Sequence, residues 1–273
     1  MGKIISVINN KGGSGKTATV EILSELLSSL GYKILAIDLD HQCNLSMALR
    51  RFQLINDKSI KNIFKHKCQK REDVEQYIQQ TDIDNIDIIA SDEEHNNTER
   101  DLALDLFSNT AVILKKALDT IKDKYDFILI DNAPANNILT VNSMIASDYV
   151  LCPAKCEEFS HKGIVTTLQN IKNVQESYML NDLKFLGTFL VATEPNTNRH
   201  KKTIKLFESE FKDKFFKTYI RKDIKVVDME SDFIPLLEID PSSNALHDYA
   251  NLLLEFNIMD EEHSKILREA IQA

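Results

Sequence analysis

An α/β fold, with a mostly parallel twisted sheet flanked by helices on both faces, is predicted for this 273-residue chain by three features. Short apolar strands alternate with amphipathic helices, a glycine-rich segment joins the first strand to the first helix, and two later strands end in aspartate. Strands that are apolar throughout must be covered on both faces, and a helix between consecutive strands lets them run parallel.

The elements follow in order. Residues 3–9 carry the apolar run Ile4, Ile5, Ser6, Val7, Ile8 and read as the first strand. Residues 17–30 place Val20, Leu23, Leu26, Leu27 and Leu30 at helical spacing, and Gly31 suits a left-handed helix stop. Residues 33–38 form a second strand with an apolar centre. Further strands are expected at 86–90, 127–131, 148–154 and 185–192, with a short one at 215–220. Helices are expected at 110–122, 163–175, 203–210 and 247–255, the last with Leu246, Tyr249, Ala250 and Leu253 along one side. No internal repeat, linker or low-complexity tract interrupts this pattern. One domain over 1–273 is therefore expected, with no helix-turn-helix domain ahead of the first strand.

Composition narrows the class. Hydrophobic residues make up 43% and charged residues 27%, as in an ordinary globular protein. The four cysteines, Cys43, Cys68, Cys152 and Cys156, follow neither a zinc nor a secretory-disulfide spacing. With no signal-like segment at the first residues and no membrane-length apolar run, a cytoplasmic location is expected. The net charge of -9 is uneven: residues 195–225 hold ten Lys or Arg against four Asp or Glu, and residues 226–273 hold two against eleven. A local basic surface is thus compatible with an acidic total.

The segment Lys11, Gly12, Gly13, Ser14, Gly15, Lys16, Thr17 lies between strand and helix. Glycines let the backbone curl around phosphate oxygens with its N–H groups inward, and the helix start adds unpaired donors and a favourable dipole. Lys16 is placed to reach the β- and γ-phosphates, Thr17 to ligate magnesium, and Ala18 to offer a further amide at the helix start. The strict pattern has glycine where this chain has Asn10. Asp38 and Asp40, two residues apart at the end of the second strand, leave the chain on the same side. One carboxylate can orient magnesium through water and the other position the attacking water. Asp131 closes the apolar run Phe127 to Ile130, a pattern suited to a contact with magnesium and Thr17. A P-loop NTPase fold binding ATP and Mg2+ is the expectation.

These residues resemble the ParA/Soj family of partition ATPases, within the class that also holds the MinD-type ATPases. Lys11 stands where that class has a second, signature lysine. Asp38-Leu39-Asp40-His41-Gln42-Cys43-Asn44 resembles the family's second motif, with His41 and Cys43 in place of a proline and a glycine. Asp131-Asn132-Ala133-Pro134 resembles the third, with Ala133 replacing a proline. The likeness extends through residues 193–202, 219–223 and 230–252. It implies a nucleotide-sandwich homodimer in which Lys11 reaches the partner copy's phosphates and Asp40 is the residue most involved in hydrolysis. Lys11, Lys16 and Asp40 are then the catalytic set, Thr17, Asp38 and Asp131 the metal set, and adenine lies near Thr193, Ile220 and Arg221.

Two function classes fit. A partition ATPase would bind nonspecific double-stranded DNA as the ATP dimer, associate with the nucleoid, and be stimulated by a ParB-like centromere-binding protein. Arg199, Lys201, Lys202, Lys205, Lys222 and Lys225 are its candidate DNA contacts. A positioning ATPase would use the same switch on a protein cargo or a membrane. The membrane version is disfavoured, because residues 256–273 carry more acids than bases instead of forming a basic amphipathic helix. An iron–sulfur role is disfavoured by the spacing of Cys152 and Cys156.

Overall fold

The computed structural model describes residues 2–50, 58–105, 107–157 and 160–272. Its strands are β1 Lys3–Val7, β2 Ile34–Asp38, β3 Gln79–Gln80, β4 Ile86–Ile89, β5 Phe127–Asp131, β6 Tyr149–Lys155 and β7 Lys184–Val191. They form one sheet in the order β3-β4-β2-β5-β1-β6-β7. All pairs are parallel except β3 with β4, so six carboxyl ends share one edge.

Along each central strand, neighbouring side chains enter opposite faces. Ile5, Val7, Ile34, Ala36, Phe127 and Leu129 enter one buried cluster, while Ile4, Leu35, Ile37, Ile128 and Ile130 enter another. This is why the strands carry no polar face. The first face is covered by α1 Lys16–Ser29 and α2 Asn44–Arg50. The opposite face takes α3 Ile60–His66, α4 Arg71–Glu75, α5 Thr98–Leu104, α6 Ile113–Leu118 and α7 Ile138–Ala146, then α8 Ser160–Tyr178 and α9 Asn198–Phe211 beside β6 and β7. The chain then returns to the first face with α10 Ile224–Asp232, α11 Leu236–Ile239, α12 Asn244–Glu255 and α13 Glu261–Gln272. On α13, Leu267 is buried and Ile271 packs against the first cluster, so the apolar side of this helix is used within the chain. Among the described residues no helix is long and apolar enough to cross a membrane.

The expected sheet is present, with two corrections. Residues 215–220 are not a strand. They meet β7 through an isolated bridge of Phe215 with Thr188 and through the Phe216 and Ile220 amides, which donate to the Thr188 and Leu190 carbonyls at 2.9 and 2.7 Å, without a continuous ladder. The amides of Lys217 and Thr218 instead donate to the Glu255 carboxylate of α12, at 2.9 and 2.8 Å, which takes these groups out of any ladder. The helix expected over 110–122 is shorter. It is a 3-10 turn followed by α6, because Asn142 of α7 accepts from the Leu114 amide at 3.1 Å and donates to the Thr110 carbonyl at 2.8 Å.

The chain leaves β1 through α1 toward β2 and leaves β6 through α8 toward β7, on opposite faces. Neighbouring strands that lead apart in this way open a crevice at their carboxyl ends, the usual binding position of such a sheet.

Candidate functional site

The glycine loop fills that crevice. Gly13 has φ +65° and Gly15, which caps α1, has φ +84°, conformations an L side chain enters only under strain. Space is short as well: a Cβ on Gly15 would lie 3.1 Å from a Val191 methyl at the end of β7. Asn10 stands at negative φ, so glycine is not needed there and the departure from the strict pattern leaves the backbone undisturbed. Asn9 anchors the loop entrance: its Nδ2 donates to the Pro153 carbonyl at 2.8 Å and its Oδ1 accepts from the Lys11 amide at 3.0 Å.

Three carboxylates converge beside the loop. Val7, Asp131 and Asp38 stand abreast in the parallel register of β1, β5 and β2. The Thr17 hydroxyl donates to Asp131 Oδ2 at 2.7 Å, and Asp131 Oδ1 is buried with no partner among the described residues. Asp38 accepts the Asp40 amide at 2.9 Å, the Ser46 amide at 2.9 Å and the Ser46 hydroxyl at 2.7 Å. It thereby ties the 39–45 turn to the start of α2. Burial pushes both carboxyls above the ordinary range, and Asp131 is raised further by Asp38 beside it. The Lys16 ammonium, 7% exposed, is pulled below its ordinary value by burial, against which Asp131 and Asp40 act.

A 620 Å3 cavity is lined by Gly13 to Ala18, Asp40, His41, Gln42 and Pro134, with Glu21, Glu230 and Phe233 also on its wall. That volume suits a nucleotide-sized ligand. Asp40 faces it and holds the Gln42 amide at 3.0 Å, while His41 Nδ1 is 3.7 Å from Asp40. Cys43 occupies the left-handed region at φ +57°, so the glycine usual in the resembling motif had a backbone reason and the cysteine bears that strain.

The remaining expected residues divide. Lys11 leaves the loop away from the cavity and pairs with Glu157, with the Ser160 hydroxyl at 3.5 Å. Thr193, Ile220 and Arg221 do come together: the Thr193 amide donates to the Ile220 carbonyl at 2.9 Å, and Thr193 bridges Arg221. They lie outside the cavity lining. The Arg221 guanidinium is engaged by Asp248, with Nε to Oδ2 and Nη2 to Oδ1 both at 2.8 Å. Arg199, Lys201, Lys202 and Lys205 lie on α9 and form no ion pair with described residues, whereas Lys222 and Lys225 pair with Glu194 and Asp228. Sequence reasoning missed Asn9, Ser46 and Glu157. Only Asn9, next to the loop, offered a local signal.

A glycine loop at a helix start, a buried ammonium and a hydroxyl–carboxylate pair are chemistry for a polyphosphate and a hard divalent cation. Comparison with known proteins agrees. A family model described as an AAA domain matches residues 2–185. The sporulation initiation inhibitor protein Soj of Bacillus subtilis is 31% identical over 255 residues, covering 93% of this chain and 98% of Soj. A plasmid partition protein of Borrelia burgdorferi bound to AMPPNP superposes with TM-score 0.75 at 25% identity, covering 94% of this chain and 98% of that one. A Cyanothece McdA variant in complex with ATP shares the fold, with TM-score 0.78 at 21% identity, covering 99% of this chain and 96% of that one. Alignment with Soj from end to end, on the same strand–loop–helix frame that holds the Thr17–Asp131 contact, makes this chain a member of the AAA-domain family in its ParA/Soj branch of partition ATPases.

Proposed function

We propose that the chain is a Mg2+-dependent ATPase that pairs with a second copy on binding ATP, holds nonspecific double-stranded DNA in that state, and releases it after slow hydrolysis stimulated by a ParB-like centromere-binding protein. The Thr17–Asp131 hydrogen bond, with the other Asp131 oxygen buried and unpartnered among the described residues, carries the nucleotide half of this reading. An orphaned carboxylate oxygen beside a hydroxyl at a helix start is a position that a hydrated cation completes. Ser14 Oγ, also buried without a partner among the described residues, and the glycine backbone fit a phosphate chain in the same place.

Each residue then has a task. The amides of Gly12 to Ala18 cradle the phosphates, and Lys16 meets the β- and γ-oxygens from below. Thr17 and Asp131 hold the metal side. Asp38 supports it from behind by fixing the turn through Ser46. Asp40, facing the cavity from that turn, orients the attacking water. Magnesium, when bound, neutralises charge that builds on the phosphate oxygens. Lys11 serves the partner copy's phosphates. Adenine rests near Thr193, Ile220 and Arg221.

The DNA half is supported by α9, where Arg199, Lys201, Lys202 and Lys205 carry charge that no described carboxylate pairs, and a dimer doubles those contacts. The test is calorimetric titration of ATP with Mg2+ into wild type and Lys16→Ala, together with fluorescence anisotropy on unrelated duplexes with ATP and with ADP. Loss of ATP binding in the variant and ATP-dependent DNA affinity in wild type are expected. Unchanged ATP affinity in Lys16→Ala refutes the nucleotide site, and equal DNA affinity in ATP and ADP refutes the switch.

A further inference from the structure

A third lysine stands at the loop. Lys155 ends β6, and its side chain lies across Gly13: a Cβ on Gly13 would be 3.4 Å from Lys155 Nζ and 3.9 Å from Cε. The ammonium therefore lies in van der Waals range of the loop at position 13, where glycine is required by φ. Lys155 is half-buried, and its ammonium makes no ion pair or hydrogen bond with described residues. Its charge is nevertheless felt on two sides. Glu230, raised by burial, is drawn back down by Lys155, and Glu157, lowered first by Lys11, is lowered further by it. Glu230 lines the cavity, so the ammonium stands between the cavity rim and the Lys11–Glu157 pair.

A half-buried ammonium with no carboxylate of the described residues in ion-pair range, set against the backbone of an anion-binding loop, is placed to take an anion. We propose that Lys155 binds the terminal phosphate of the nucleotide and so discriminates triphosphate from diphosphate. This rests on the nucleotide reading above. Gly13 precedes the first amides of α1 by two residues or more, so the group covering it meets the end of the phosphate chain remote from the helix. Lys16 and Lys155 then flank the terminal phosphate, one from beneath the loop and one from its outer side.

The experiment is equilibrium titration of fluorescent ATP and ADP, each with Mg2+, into wild type, Lys155→Met and Lys155→Arg. Lys155→Gln serves as a polar alternative where the methionine variant is unstable. Removing one charge-assisted hydrogen bond weakens ATP binding by about tenfold, while ADP binding changes by about twofold or less. Arginine keeps the charge and restores most of the ATP affinity. Equal ATP affinity in wild type and in the methionine or glutamine variant overturns the proposal. So does an equal weakening for ATP and ADP that arginine does not repair, which would make Lys155 a counter-charge for Glu157 and Glu230. Wild type that binds neither nucleotide overturns the nucleotide reading itself, an outcome distinct from these.

Discussion

Gly163 of α8 lies far from the loop in sequence, yet Gly163→Ala should damage it. A Cβ at this position would sit 2.5 Å from Asn9 Oδ1 and 3.4 Å from its Cγ, so the Asn9 side chain must move. Asn9 is 1% exposed and bridges the Pro153 carbonyl and the Lys11 amide. Two hydrogen bonds at about 1 kcal/mol each are broken, and leaving their buried partners unsatisfied adds about 1 kcal/mol more. Against this, alanine is favoured over glycine within a helix by about 1 kcal/mol. The damage wins by about 2 kcal/mol, which for a chain of this size lowers Tm by roughly 4 °C. Calorimetric melting of wild type, Gly163→Ala, Asn9→Ala and the double variant forms the assay. In the Asn9→Ala background the clash is gone, so Gly163→Ala should reverse sign and stabilise by about 1 kcal/mol. A wild-type background in which Gly163→Ala raises Tm and leaves ATP affinity untouched would refute the anchoring role of Asn9.

Three further outcomes are expected. Asp40→Ala should bind ATP and accumulate as a dimer by light scattering, and a variant that stays monomeric with ATP counts against the sandwich dimer. Lys201→Glu with Lys202→Glu should cut ATP-dependent DNA binding and reduce the log–log salt slope by about 0.9 for each phosphate no longer neutralised; an unchanged slope in anisotropy places the DNA surface elsewhere. His95 is buried, stacks on Phe64 and is lowered by burial to about 4, against about 6.5 when unfolded. Between those values the unfolded chain binds more protons, so this contribution is intact above about pH 6.5 and declines as pH falls toward 4, by up to about 3 kcal/mol. Urea melts at pH 7 and pH 4.5 should show a smaller acid destabilisation in His95→Gln than in wild type, and equal effects would refute the assignment.

The parts legible in the sequence are those whose physics is local. The 3–9 and 127–131 runs announce buried strands because each residue must face a hydrophobic layer, and Gly13 and Gly15 announce the loop because positive φ excludes most other residues. Other parts depend on partners far along the chain. The segment 215–220 has a strand's aromatic and apolar content in Phe215, Phe216, Tyr219 and Ile220, but the Glu255 carboxylate, 38 and 37 residues on, takes the amides of Lys217 and Thr218. Nine-residue α7 is apolar nearly all round, so it carries no helical stripe by which to recognise it. β3 is two glutamines long and carries no pattern at all. In the site, Thr17 and Asp131 could be placed from motif and strand end, whereas the hold of Ser46 on Asp38 needs the turn to be folded first.

In the dimer proposed above, Lys11 reaches into the other copy, but in the single chain it is engaged at home by Glu157. The two side chains are 37% and 43% exposed, so the pair is a weak hold of at most about 1 kcal/mol. Symmetric pairing releases it once in each copy, so a total near 2 kcal/mol lowers the association constant by roughly thirtyfold. That is too little to oppose a triphosphate that welcomes both ammonium groups, yet enough to keep empty chains apart at concentrations where loaded ones meet. Because the release is counted twice, a small change in the grip of Glu157 shifts the firing threshold of the switch as its square.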